Sequence, residues 1–372
     1  MTQPVEAKAT DARRLVEAAR GLVPSLGERA MAAEEDGRLP AETVRELIDS
    51  GLLGADAPGP IPEAAIELAR GCGSTAWCYA FWALGASRVS TWSDDVRQEV
   101  FDADPDALVC VATAGDDLRC ERGADGHLLS GTARFAAGCE HSGWLLLTAE
   151  AGDDALEVLV PSADFEVLAE TGERSGLRAS GSKDLRLDGV LVPERRARTA
   201  PGWAADIGGD APAAWVAAAV TIGLATAGLE ATLERLRGTS GKARSADSPV
   251  VHLLMSESAA DIDAARALMR GDLDDALEKS GRGVPIDELD AARYLRNQAF
   301  GAELAMRSVN RIFYIAGGRA ISMRDPLQRI HRDAHASLHR PGAAMPPTAP
   351  FPLAARAFGQ AALGRDPMEV TV

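Results

Sequence analysis

An α+β protein, with a helical N-terminal part, a central β part and a helical C-terminal bundle, is predicted by three features of the 372-residue sequence. Apolar residues recur at helix spacing from Asp11 to Phe101. Short alternating segments bounded by Asp and Gly occupy the stretch from Ala107 to Arg198, and long helical patterns resume after Pro201. These changes of period divide the chain at 1–106, 107–200 and 201–372. A chain of this length exceeds the size at which one core stops growing, so division into packed units is expected.

In the first part, Leu15, Ala18, Ala19 and Leu22 fall on one helical face, and residues 41–50 form a helix stopped at Gly51. Three or four helices fit before Phe101. Pro58, Gly59, Pro60 and Pro62 make a rigid break ahead of another helix beginning near Glu63. Residues 71–76, Gly-Cys-Gly-Ser-Thr-Ala, are glycine-rich at a helix start. They lack a Walker lysine and follow no strand, so they do not read as a nucleotide loop.

In the second part, residues 108–112, 144–148 and 156–160 are short apolar strands. Residues 118–122 and 128–135 form a hairpin across Ala124, Asp125, Gly126 and His127, because Asp-Gly tolerates the positive φ of such a turn. Residues 176–193 run from a Gly/Ser-rich loop into a strand in which Leu185 and Leu187 alternate with Arg186 and Asp188. Asp188 and Gly189 interrupt the alternation as a bulge or tight turn does.

The third part carries four helical patterns, at 213–237, 250–280, 286–317 and 325–339. The connection from Gly238 to Pro249 holds Lys242 and Arg244 among small residues, and reads either as a linker or as a phosphate-binding loop. The Pro/Ala-rich stretch 341–352 is expected to be an extended arm.

Composition narrows the function. The 55 acidic against 39 basic residues give a formal net charge of −16, which opposes a nucleic-acid partner. No apolar run reaches membrane-spanning length and the N-terminus has no signal-peptide core, so a cytoplasmic protein is expected. Five cysteines, Cys72, Cys78, Cys110, Cys120 and Cys139, form no Cys-x-x-Cys pair and are expected to be reduced. His331, His335 and His339 share one helical face, as a metal site with ligands from elsewhere or as cations at a helix end. No partner motif accompanies them, so no metal is expected. A Gly-x-Ser-x-Gly elbow is absent.

Taken in order, several segments resemble the acyl-CoA dehydrogenase superfamily over nearly the whole chain. They are Gly-Ser-Thr-Ala-Trp at 73–77, Val-Arg-Gln-Glu-Val-Phe at 96–101, 129–138, 176–193, Ala316-Gly-Gly, and Leu-Gln-Arg-Ile-His-Arg-Asp at 327–333. The resemblance implies an N-terminal helical domain, a central β-barrel-like domain and a C-terminal four-helix bundle. Within the superfamily the chain is similar to the two-component (group D) flavin-dependent monooxygenases. Dehydrogenases usually carry a catalytic glutamate followed by Gly-Thr near the C-terminus, whereas residues 335–341 read His-Ala-Ser-Leu-His-Arg-Pro.

The resemblance implies a monooxygenase hydroxylating or N-oxygenating a small or polycyclic substrate in secondary metabolism, with O2 and reduced FMN or FAD from a separate reductase, as a homotetramer. It carries over His339, with His335 as its neighbour, as the proton-transfer residue at the flavin. Trp77 and Thr113 line the isoalloxazine, Lys242 and Arg244 hold cofactor phosphate in a neighbouring subunit, and Ser182 lies near the substrate mouth. The chain departs from the pattern at Ser87, where a histidine is usual, and at Ala137-Gly138, where Ser-Gly is usual; Ser87, Cys139 and His141 stand as substitutes. An acyl-CoA or acyl-carrier-protein dehydrogenase, and a member without redox chemistry acting as a non-redox catalyst or binding protein, are the competing readings.

Overall fold

The computed structural model describes residues 3–53, 61–102, 104–152, 154–168, 174–200, 211–238, 247–338 and 351–367, and is mixed α+β. Two compact units divide the chain. One comprises Met1–Ala64, Ser74–Arg174 and Arg178–Ala200; the other Ala65–Gly73, Ser175–Leu177 and Pro201–Val372.

Among the described residues five helices precede the first strand, against the three or four expected: α1 (Gln3–Asp36), α2 (Ala41–Asp49), α3 (Ile61–Gly71), α4 (Gly73–Ser90) and α5 (Asp94–Phe101). The helical stretch breaks at Cys72, between Gly71 and Gly73, into α3 and α4. In α2, Val44 and Leu47 turn inward, and Gly51 at φ +73° ends the segment as expected. In α5, Ser93 precedes Asp94 and Asp95, whose charges favour a helix N-terminus, while Val96, Val100 and Phe101 are buried. Helix α4 is apolar on every side and correspondingly buried from Ser74 to Ala86.

The strands are β1 (Val109–Ala114), β2 (Arg119–Arg122), β3 (Gly126–Ala136), β4 (Trp144–Ala151), β5 (Asp154–Pro161), β6 (Glu166–Val167), β7 (Lys183–Pro193) and β8 (Ala197–Thr199). They form one eight-stranded sheet in the order β6-β7-β3-β1-β4-β5-β8, with β2 paired on β3. All pairs are antiparallel except β1 with β4, which run parallel from Val109 opposite Trp144. Continuous apolar runs in β1, β4 and β5 suit strands covered on both faces. Glu157 on β5 is the buried exception, and it is paired with Arg88 and with Arg198, the latter at 2.7 Å.

The hairpin forms as predicted, with Arg122 opposite His127. So does the irregularity in β7: Leu129 faces Val190 but Gly131 faces Leu187, which places one extra residue of β7 at Asp188–Gly189, with Gly189 at φ +62°. A second, unpredicted bulge lies in β3, between Ala133 and Ala136, with Phe135 at φ +62°.

In the other unit, the helices are α6 (Ala211–Gly238), α7 (Pro249–Gly281), α8 (Glu288–Ala316), α9 (Pro326–Leu338) and α10 (Phe351–Ala362). Asp287 and Asp290 form a reciprocal capping box at the start of α8. Helix α6 is long and apolar enough to span a membrane by composition alone, yet 72% of that apolar window is buried inside the protein. Its Trp215 indole donates to Asp272 on α7 at 3.2 Å, and Asn297 on α8 donates to the same carboxylate at 2.8 Å, so one buried acid ties three helices. The expected arm at 341–352 is corrected at its end: Phe351 and Pro352 open α10, whose Ala354 and Ala357 pack with Ala291, Tyr294 and Leu295 of α8. Proline suits a first turn, where its missing N–H has no helical partner, so the residue that argued for an arm starts a helix. The rest of that stretch lies outside the described residues.

Candidate active site

Three pieces of the sheet-containing unit converge: the first turns of α4, the turn that follows β3, and the loop that precedes β7. After β3 the chain passes through Ala137 and Gly138 into a short 3-10 turn, Cys139–His141. Gly138 has φ +67°, and a Cβ there would lie 2.2 Å from the Trp82 ring, so backbone conformation and close packing both require glycine. The Trp82 indole donates to Ser142 Oγ at 2.9 Å, and Ser142 donates to the Gly138 carbonyl at 3.0 Å. Gly138 N–H donates to the Ser180 carbonyl at 2.8 Å, which also receives the Cys78 thiol at 3.3 Å. The buried hydroxyls of Ser180 and Ser182 are bonded to each other at 2.8 Å. An indole, a glycine turn and a serine loop are thereby locked together by neutral groups, with strain at Phe135 immediately upstream.

Burial pushes the Cys139 thiol up to about 11, and pushes Cys110 upward too. Both remain protonated at neutral pH, so neither is poised as a nucleophile. At the rim, Lys183 pairs with Glu140 at 2.8 Å. Half-buried Arg174 lies over the Phe135 ring, 5.2 Å from its centroid. Among the described residues no group of three His, Cys, Asp or Glu side chains is arranged to hold a metal.

The acyl-CoA dehydrogenase C-terminal domain family matches residues 215–341. The oxygenase subunit HsaA of a flavin-dependent monooxygenase from Mycobacterium tuberculosis is 29% identical over 364 residues, covering 88% of this chain and 91% of its own length. The chain resembles the acyl-CoA dehydrogenase superfamily and has its fold. It is an enzyme of that fold, similar to the oxygenase components of two-component flavin-dependent monooxygenases. The oxygenase component of the FADH2-dependent resorcinol hydroxylase of a Rhizobium species is 28% identical, over 87% of this chain and 89% of its own. The structure of XiaF from Streptomyces, in complex with FADH2 and glycerol, superposes with a TM-score of 0.88 at 22% identity over 100% of both chains, and shares the fold.

Ala137, Gly138, Cys139 and Ser182 belong to the converging pieces. Trp77 is buried on α4, with its ring against Phe81 at 4.8 Å between centroids. Thr113 on β1 donates its hydroxyl to the Arg134 carbonyl at 3.2 Å, so that hydrogen is already engaged. His141 is drawn away from an open role: its Nε2 meets the Leu39 carbonyl at 3.1 Å and its ring stands edge-on to Trp82. Ser87 is on the same helix as Trp77, ten residues further on, about 15 Å along the axis at 1.5 Å per residue.

His335 belongs to the helical unit. Its Nε2 and that of His331 both meet Asn310 Oδ1, at 3.3 and 3.1 Å, and His331 stacks on Phe313. The shared face predicted for these histidines is thus seen for His331 and His335. His339, Lys242 and Arg244 lie outside the described residues. Sequence reasoning missed Cys78, Trp82, Ser142, Arg174 and Ser180. Trp82 sits in an apolar helix where no polar neighbour marks it, and Ser142 is one of many serines. Ser180 alone carried a signal, the Gly/Ser run around it.

The donor set fits a flavin. The indole, thiol and hydroxyls gathered at the turn are uncharged and the acid in it, Glu140, is already paired with Lys183, which suits a flat heteroaromatic group better than a highly charged one.

Proposed function

We propose that the chain is the oxygenase component of a two-component flavin-dependent monooxygenase that hydroxylates an aromatic substrate. The observation that carries this reading is its end-to-end likeness to oxygenase components, with 88% of the chain aligned on HsaA. Bound reduced flavin, FMN or FAD delivered by a separate reductase, supplies the activation of O2 and the transfer of one oxygen atom. The chain's own residues bind, orient and keep the site dry. Trp77, Phe81 and Trp82 provide buried apolar surface, and water kept out of such a site limits wasteful release of peroxide. The Gly138 turn and Thr113 orient the ring, and Ser182 meets the substrate. Lys242 and Arg244 hold cofactor phosphate, donated to a neighbouring subunit of a homotetramer.

His339, with His335 four residues before it in sequence, moves the proton, because an imidazole titrates near neutral pH. Ser87 assists in place of the usual histidine, and Cys139 and His141 in place of the usual serine. On this reading the chain has three domains at 1–106, 107–200 and 201–372, the middle one barrel-like and the last a four-helix bundle. On the same reading its substrate is a small or polycyclic compound of secondary metabolism, hydroxylated or oxygenated at nitrogen, in the cytoplasm.

The test is anaerobic loading with FMNH2 or FADH2, followed by mixing with oxygenated buffer containing a phenol. Hydroxylated product should form in place of free peroxide, and His339→Ala should shift the balance toward peroxide at least tenfold. Absence of reduced-flavin binding overturns the reading. Oxidation of acyl thioesters by a tightly flavinated protein would install the dehydrogenase reading in its place.

A further inference from the structure

Arg174 is a cation without a carboxylate in ion-pair range among the described residues, set beside the glycine turn of the candidate site. Burial draws its pKa down, and the nearby charge of Asp184 opposes that only in part. Asp184 is the adjacent acid, yet its Oδ1 already accepts the Phe135 N–H at 3.2 Å. Phe135 reaches this place through the extra residue that bulges β3 between Ala133 and Ala136, and through a left-handed backbone at φ +62° that a side chain bearing a Cβ rarely adopts. Bulges of this kind re-aim side chains and gather near active sites. The bulge here brings a phenyl ring under a guanidinium, two residues before Ala137.

A guanidinium stacked on an aromatic face still presents its in-plane N–H groups. Those donors match a carboxylate through two parallel bonds. A half-buried cation with no ion-paired carboxylate among the described residues gains from a ligand that brings one.

We propose that Arg174 determines substrate specificity by binding the carboxylate of an aromatic acid, with Phe135 as its platform. This rests on the aromatic-hydroxylase reading and narrows its substrate class to aromatics bearing a carboxylate.

The test uses 4-hydroxyphenylacetate and its neutral counterpart 4-hydroxyphenylacetamide, titrated calorimetrically into wild type, Arg174→Gln and Arg174→Lys. A separate anaerobic titration with FMNH2 and FADH2 follows. Wild type should bind the carboxylate at least tenfold more tightly than the amide. Arg174→Gln should bind the two within twofold of each other, and Arg174→Lys should keep part of the preference. Reduced-flavin affinity and the urea midpoint should stay the same in all three proteins.

Equal binding of the probes by wild type, binding of neither, or a preference that survives Arg174→Gln overturns the proposal. Loss of reduced-flavin affinity in Arg174→Gln also overturns it, by assigning the cation to the cofactor. Because the probes are titrated without flavin, failure of wild type to bind any reduced flavin strikes the monooxygenase reading separately.

Discussion

Asp333 on α9 accepts the main-chain N–H of Leu177 at 2.6 Å, holding a buried leucine at φ +50°. Next to it, a Cβ on Gly176 would lie 2.2 Å from the Arg332 carbonyl. Asp333→Ala should therefore cost about 1–3 kcal/mol, since it strands a buried donor and releases a strained residue. Gly176→Ala should cost as much or more, because a backbone carbonyl cannot step aside as a side chain can. Urea unfolding measures both, and a change within 0.5 kcal/mol, roughly that of an ordinary surface substitution, would show the bond to be dispensable.

Gly138 is enclosed by Trp82. Gly138→Ala should displace the turn and weaken reduced-flavin binding at least tenfold with little loss of helix signal by circular dichroism. Trp82→Ala added to it should restore part of the affinity by making room. Undiminished binding in the single variant would separate the turn from the cofactor.

Asp272 carries a pH dependence of calculable sign. Burial pushes its carboxyl up to about 6, against hydrogen bonds from Asn297 and Trp215 and the charge of Arg293. The folded state thus holds this proton more tightly than the unfolded chain, whose aspartate titrates near 3.9. The contribution is fully present below that value and is lost as pH rises through about 6. By linkage the loss is on the order of 3 kcal/mol. Asp272→Asn should consequently gain on wild type between pH 4 and 7.5, as read by urea midpoints. A constant difference across that range would contradict the shift.

His331 shifts in the other sense. Burial, and then the charge of His335, lower its pKa, so it favours the neutral ring. Its contribution to stability is present above the ordinary histidine value and falls away as pH drops below it. In a proton NMR titration His331 should have its midpoint below that of an exposed histidine, and His335→Gln should move the midpoint upward. No movement would mean the two rings are not coupled.

Much of this architecture was legible because it is written in local period and turn chemistry. The bulge at Asp188–Gly189 shows as a broken alternation, and the β2–β3 hairpin shows as Asp-Gly. The bulge at Phe135 left no such mark, because its cause is long-range: the Phe135 N–H is held by Asp184, 49 positions away. The candidate site was legible where small residues cluster, at Gly138 and Ser182, and illegible where its parts are ordinary core residues such as Trp82. His141 and Thr113 illustrate the converse. Both carry chemistry on paper, but the fold spends their polar atoms on carbonyls.

The residues 65–73 and 175–177 belong to the helical unit although both neighbours of each piece in sequence belong to the other. Arg70, in the first piece, pairs with Glu230 of α6 at 2.9 Å, and Leu177, in the second, is bonded to Asp333. A polypeptide expressed from residue 201 onward would thus lack two strips of its own interior, and should emerge as an aggregating or molten fragment. The gene therefore offers no clean place to cut: domain shuffling by simple truncation is closed to this enzyme, and any chimera must exchange the three stretches together.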